Sequence, residues 1–290
     1  MNRKELLSLK LTAEKCRRNA VRMVEASHHG HIGGTFSAMD IVTALYFHTM
    51  KINPKDPKWE DRDRFLLSAG HKCMVQYSVL AEKGFFDKSE LDTYGGLHTH
   101  LPGHPDMYKL PGVEANTGAL GHGLSIAVGM ALGLRAQKKD SRVFVVMGDG
   151  ELAEGSNWEA AAAAAHHRCD NLVVIVDFNG LQISGPVDKV MNFTPIAEHF
   201  EAFGWSVRDI DGNNMEEVVN ALDAVPFTQG KPSLIVAHTI KAKGLSFGEG
   251  IASYHYWTPD REELDKGIQE IEDRIRSLEA ELKACTDAEI

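Results

Sequence analysis

The chain has 290 residues, enough for a full hydrophobic core, and its 43% hydrophobic and 25% charged content is that of a globular protein, not a disordered one. A formal net charge of -10 argues against a phosphate backbone or an anionic membrane as the main partner, so a small anionic ligand would need a local site. Cys16, Cys73, Cys169 and Cys285 are scattered without a Cys-x-x-Cys spacing, and the charged amino terminus lacks the apolar run of a signal peptide; both point to reduced thiols in a cytoplasmic protein.

Up to about residue 139, periodicity predicts helices over 3–26, 37–50, 71–83 and 122–137, joined by loops rich in glycine and histidine. From 141 onward the pattern alternates. An apolar strand at 143–147, an alanine-rich helix at 154–167 and a second apolar strand at 172–178 make one βαβ unit. A helix at 195–203, a strand at 205–210, a helix at 215–224 and a strand at 233–240 continue it. The expected fold class is therefore α/β, a doubly wound, mainly parallel sheet flanked by helices. After Pro259, the residues Leu264, Ile268, Ile271, Ile275, Leu278 and Leu282 fall at alternating steps of four and three. Such a stripe is the docking seam of a long helix, closing on its own domain or on a second chain. The expected division is one domain over 1–258 and a carboxy-terminal helix over 259–290, a candidate partner contact.

In Met147-Gly148-Asp149-Gly150-Glu151, a short acid sits between glycines at the carboxyl end of a buried strand, where open α/β sheets bind ligands. The glycines let backbone amides approach an anion, and Asp149 can coordinate a hard cation that also grips phosphate oxygens. The next strand runs into Asn179-Gly180-Leu181, so the Asn179 amide oxygen and a following carbonyl reach the same sheet edge. Alone, Asp149 is more often a helix cap and Asn179 a turn residue. Their adjacency at neighbouring strand ends favours a metal and anion site instead. Glycines 118, 121 and 123 lack the preceding apolar strand of a dinucleotide loop. Lys241 and Lys243, just past the last strand, could meet a phosphate, although lysines at a strand end are more often plain solvated charge. Most of the fourteen histidines, among them His28, His29, His48, His98, His166, His167 and His199, read as surface or satisfied core residues.

Gly148-Asp149-Gly150 followed by Asn179 resembles the thiamine diphosphate motif, and more narrowly the transketolase family. Gly30-His31-Ile32-Gly33-Gly34, Ser68-Ala69-Gly70-His71, Pro102-Gly103-His104-Pro105, Thr117-Gly118-Ala119-Leu120-Gly121, Glu154-Gly155 and Phe203-Gly204-Trp205 extend the resemblance over nearly the whole chain, by order and spacing. It implies the family's thiamine diphosphate-binding fold, with Mg²⁺ (or Ca²⁺ or Mn²⁺ in its place) on Asp149, Asn179 and the carbonyl of Leu181. It implies diphosphate contacts from Gly150 and Asn179, with His71 and His255 lining the phosphate and thiazolium region. Gly118, Ala119 and Leu120 match the loop against the aminopyrimidine, and Glu154 matches a carboxylate at the subunit contact. His31 and His104, with His255, match histidines that hydrogen-bond the donor sugar and move protons during carbon–carbon cleavage, a task suited to imidazole.

The implied reaction is transfer of a two-carbon ketol unit from a ketose phosphate donor to an aldose phosphate acceptor. Complete members of the family continue with a pyrimidine-binding domain, which brings the glutamate that activates the cofactor, and with a further carboxy-terminal domain. The resemblance thus implies an amino-terminal subunit, active only with a separately encoded carboxy-terminal transketolase subunit, as a dimer of heterodimers, with no nucleic acid or membrane partner. Three departures concern the substrate. His122 stands where Gln is more usual, Tyr256-Trp257 follow His255 where a small Gly is usual, and His28-His29 precede Gly30. They point to catabolism of an unusual sugar, such as a branched or sulfonated ketose. Two alternatives are a subunit of another thiamine diphosphate enzyme, such as a 1-deoxyxylulose 5-phosphate synthase-like protein, and a non-catalytic regulatory subunit. The loop containing His104 disfavours the first, and intact Asp149, Asn179, His31, His71 and His104 disfavour the second.

Overall fold

Short runs of branched apolar residues build the centre of the molecule, described over residues 1–287 by a computed structural model. The strands are β1 (Arg64–Leu67), β2 (Val143–Gly148), β3 (Leu172–Phe178), β4 (Leu181–Gln182), β5 (Gly185–Pro186), β6 (Ser206–Asp211) and β7 (Ser233–His238). Five of them form a parallel sheet in the order β1-β2-β3-β7-β6, while β4 and β5 make a separate antiparallel pair. Both faces of the sheet are covered, which is why β2, β3 and β7 carry near-continuous apolar runs instead of alternating with polar residues. Phe144, Val146, Val173, Ile175 and Ile235 pack into one core. Val143, Val145, Met147, Val174 and Leu234 pack into the other.

The helices are α1 (Arg3–Ser27), α2 (Ile32–Ser37), α3 (Met39–Ala44), α4 (Cys73–Lys83), α5 (Gly123–Ala136), α6 (Gly155–His166), α7 (Val187–Val190), α8 (Ile196–Phe203), α9 (Met215–Asp223) and α10 (Arg261–Asp287). Helices α1 to α4, α9 and α10 contribute to the first core, and α5, α6 and α8 to the second. The expected helix over 37–50 is broken: α2 ends at Ser37, and α3 gives way to a wider π turn over Leu45–Thr49. Strand β1 has no counterpart among the expected elements, because its four residues follow a highly charged stretch that reads as loop.

A capping box opens α1, with Asn2 and Glu5 exchanging backbone and side-chain hydrogen bonds. Its partner is α10, whose apolar stripe closes on the same core: Leu264, Ile271 and Ile275 are buried, and Ile268, Leu278 and Leu282 partly so. Arg18–Glu272, Arg274–Glu14 and Lys15–Glu279 ion pairs flank the seam and set the two helices antiparallel. Among the described residues no helix is long and apolar enough to cross a membrane.

Candidate functional site

Parallel register brings the carboxyl ends of β2, β3 and β7 to one edge, with Gly148 beside Asp177 and Asp177 beside Ala237. A cavity of about 380 Å³ opens there, within the range of small-molecule sites, and His31, Lys72, Asp149, Asn179, Lys241 and His255 are among its lining. Asp149 is only 4% exposed. Its Oδ1 accepts from the Gly150 amide at 2.8 Å and its Oδ2 from the Gly180 amide at 2.7 Å, which ties the β2 and β3 loops together. Burial, reinforced by Asp177 and opposed by Lys72, raises its pKa to about 6. A carboxylate so placed is suited to a cation that keeps it ionised. The Asn179 Oδ1 accepts from the Leu181 amide at 3.1 Å, and the Leu181 carbonyl points into the same space.

Two lysines complete the charge balance. Lys72 is 4% exposed and its Nζ lies 2.6 Å from the Asp177 carboxylate, itself fully buried and accepting from the hydroxyls of Ser37 and Thr239. Lys241 corrects the reading of solvated charge: it is 2% exposed, and its ammonium donates to the Leu181 carbonyl at 3.0 Å and to His255 Nδ1 at 3.1 Å. Burial, and then the nearby Lys72, lower its pKa to about 8. The turn explains the inward aim. Strand β7 ends at His238, and buried Ala242 adopts a left-handed φ of +57°, a conformation uncommon for a residue with a Cβ. Lys243, by contrast, is half-exposed and pairs with Glu249. The stems of both buried lysines lie against glycines: a Cβ on Gly34 would come 2.6 Å from Lys72 Cε, and one on Gly33 would come 3.0 Å from Lys241 Cε. The Gly33-Gly34 pair was the available signal, but which side chains it admits is a tertiary fact.

His31, His71 and His255 form a triangle of rings with centroids 5.2 to 5.6 Å apart. Burial, followed by neighbouring positive charge, lowers their pKa values to about 4, 2 and 3 respectively. They are therefore neutral near pH 7, each with one donor and one acceptor to offer a polyol. Because an ammonium faces His255 Nδ1, that nitrogen is the acceptor and the ring proton resides on Nε2. Gly118 and Leu120 line the cavity, whereas Ala119 is exposed outside the lining. His104 is also exposed, held through its carbonyl by the Tyr77 hydroxyl, with its ring against Gly118. A Cβ on Gly118, which has φ +146°, would meet that ring at 2.8 Å.

Glu151 is a brace that motif reading passed over. It is 2% exposed and accepts from the Gly148 and Gly121 amides and from the Ser68 hydroxyl, joining three of the loops that shape the cavity. Glu154 is exposed, with its stem packed on Gly121. His29, read as a surface histidine, is exposed but stacks on Tyr256 at 5.4 Å, and Tyr256 sets its edge against His31 at 4.8 Å. A two-hydrogen-bond bridge between Gly30 and Trp257 fixes this arrangement.

The residues present fit a metal-held diphosphate. A carboxylate, an amide oxygen and a carbonyl are hard donors of the kind a small divalent cation prefers. Two buried ammonium groups and glycine-borne amides suit phosphate oxygens. One buried side-chain donor in the cavity, Gln182 Nε2, has no partner among the described residues.

Comparison with known proteins gives concordant matches. Residues 8–266 match the family described as transketolase, thiamine diphosphate binding domain. An apulose-4-phosphate transketolase subunit of Phocaeicola vulgatus is 43% identical over 274 residues, covering 94% of this chain and 97% of that one. The 6-deoxy-6-sulfo-D-fructose transketolase subunit SqwG of a Clostridium species is 42% identical over 243 residues, 84% of this chain and 88% of that one. Among solved structures, a transketolase from Campylobacter jejuni superposes with a TM-score of 0.86 at 32% identity, covering all of this chain and 48% of that one.

Proposed function

The chain belongs to the transketolase family and carries its thiamine diphosphate-binding domain, and on that premise we propose that it is the amino-terminal half of a two-subunit transketolase that works on an unusual sugar. The observation that carries the proposal is the contrast in coverage: this chain spans nearly all of the Phocaeicola vulgatus transketolase subunit but under half of the Campylobacter jejuni transketolase. The pyrimidine-binding domain and its activating glutamate then come from a second chain, and the working assembly is a dimer of heterodimers. With its thiols unpaired, the protein works in the cytoplasm.

In this reading Asp149, Asn179 and the Leu181 carbonyl hold Mg²⁺, for which Ca²⁺ or Mn²⁺ can substitute. Gly150, Asn179, His71 and Lys241 face the diphosphate, and Gly118, Ala119 and Leu120 face the aminopyrimidine. When bound, thiamine diphosphate supplies the carbon nucleophile of ketol transfer, and the protein supplies position and electrostatics. His31, His104 and His255 orient the donor's hydroxyls, accept the proton released as the carbon–carbon bond breaks, and return it to the acceptor. Tyr256, bulky and set against His31, shapes the donor side of the pocket. Relatives named for apulose 4-phosphate and 6-deoxy-6-sulfo-D-fructose make branched and sulfonated ketoses the donors to try first.

The test is to assay the purified chain alone and mixed with a chain carrying the pyrimidine-binding domain, with Mg²⁺, thiamine diphosphate, and a panel of xylulose 5-phosphate, apulose 4-phosphate and 6-deoxy-6-sulfo-D-fructose. Ketol transfer is expected only from the mixture, with preference for one of the unusual donors. Full activity from this chain alone would exclude the two-subunit reading.

A further inference from the structure

We infer that Gln182 is an additional ligand of the diphosphate, donating its side-chain amide to a phosphate oxygen. The inference rests on the reading that the cavity takes thiamine diphosphate. Gln182 follows Leu181 in β4, and pairing with β5, in the register Gln182 to Gly185, fixes its backbone beside the cavity. Its side chain lies over Gly150: a Cβ there would meet Gln182 Cγ, Cδ and Nε2 at 3.2, 3.6 and 3.9 Å. The missing Cβ of Gly150 therefore makes room for this side chain.

Nε2 is buried and has no hydrogen-bond partner among the described residues. Buried amide groups are rarely left so, and an orphan donor at the wall of a cavity indicates a partner that the cavity receives. The chemistry of that partner follows from the surroundings. Beside Gln182 lie Gly150 and Leu181, whose carbonyl accepts from the Lys241 ammonium, and Lys72 Nζ lies against the neighbouring Gly148. Amides and ammonium groups together call for an anionic oxygen, not a sugar hydroxyl.

The test uses the full chain, wild type and Gln182→Leu, in calorimetric titrations with thiamine diphosphate and with inorganic pyrophosphate, both with Mg²⁺, alongside thermal melts without ligand. Loss of one hydrogen bond to a charged oxygen predicts about 10- to 100-fold weaker binding of both ligands. The ligand-free melting temperature should stay the same or rise, because the substitution removes an unpaired buried donor. Equal affinity in the variant overturns the inference. So does weaker binding accompanied by a lower ligand-free melting temperature, which would make Gln182 structural, or weakening for thiamine diphosphate but not pyrophosphate, which would place it away from the phosphates. Failure of the wild type to bind either ligand, alone and mixed with a chain carrying the pyrimidine-binding domain, would instead remove the cofactor reading, and this inference with it.

Discussion

Lys72 and Lys241 bring two ammonium groups into one cavity by different means. Lys72 is locked to fully buried Asp177, so removing it strands a charge in a low-dielectric interior. Lys72→Met is expected to destabilise the ligand-free chain by about 3–5 kcal/mol, measured by urea denaturation. Among the described residues, Lys241 has only a carbonyl and an imidazole as hydrogen-bond partners. Lys241→Met should leave stability nearly unchanged and weaken thiamine diphosphate binding by about tenfold in calorimetry. At this scale Asp149, Asn179 and Leu181 were legible because each follows directly from the end of a strong apolar strand. Lys72, Lys241 and Glu151 were not, since their burial depends on glycine clearances and loop closures between segments far apart in sequence.

The turn that carries Lys241 is held from behind by two helices. Arg17 of α1, 3% exposed and paired with Glu14 and Asp40, donates to the Lys243 carbonyl at 3.2 Å. Arg274 of α10 donates to the Gly244 carbonyl at 2.8 Å and is steadied by Glu14. Arg274→Met should therefore lower cofactor affinity several-fold as well as the melting temperature. Its effect on affinity should largely vanish in a Lys241→Met background, a non-additivity that a double-mutant cycle in calorimetry would read directly. The apolar stripe of α10 was legible from its spacing, as were β2, β3 and β7 from their apolar runs and β6 from its place in the alternation of strands and helices. Helix α2 was not, because Gly33 and Gly34 read as a glycine-rich loop, while in the fold their missing side chains admit the lysines.

The molecule as a whole carries three imidazoles that fold in the neutral state, and this sets its response to acid. Their folded pKa values, about 4, 2 and 3 for His31, His71 and His255, lie below the unfolded value of about 6.5. The unfolded chain thus binds more protons in between, so their contribution is complete above about pH 6.5 and is lost as pH falls toward the folded values. Asp149, raised to about 6, acts in the opposite sense and loses its contribution as pH rises through that value. Glu151, also raised by burial, acts in the same sense as Asp149; the three imidazoles outweigh these two carboxyls, and the ligand-free chain should melt at a lower temperature at about pH 5 than at about pH 7.5 by scanning calorimetry. At this scale the parallel, doubly wound sheet followed from the alternation of strands and helices. Its β1 edge did not, because that strand contributes only four residues.

The pairing of α1 with α10 also dictates an order of assembly. These helices make the most extensive helix–helix contact of the described fold, yet the hydrogen bonds between them span 254 and 260 residues of chain. During synthesis α1 emerges well before α10, so the flank of α1 that α10 covers waits while the intervening residues are made. A contact this non-local forms late and exposes sticky surface while it waits. The turn carrying Lys241 is clamped by the same two helices, so the cofactor pocket matures only when α10 closes.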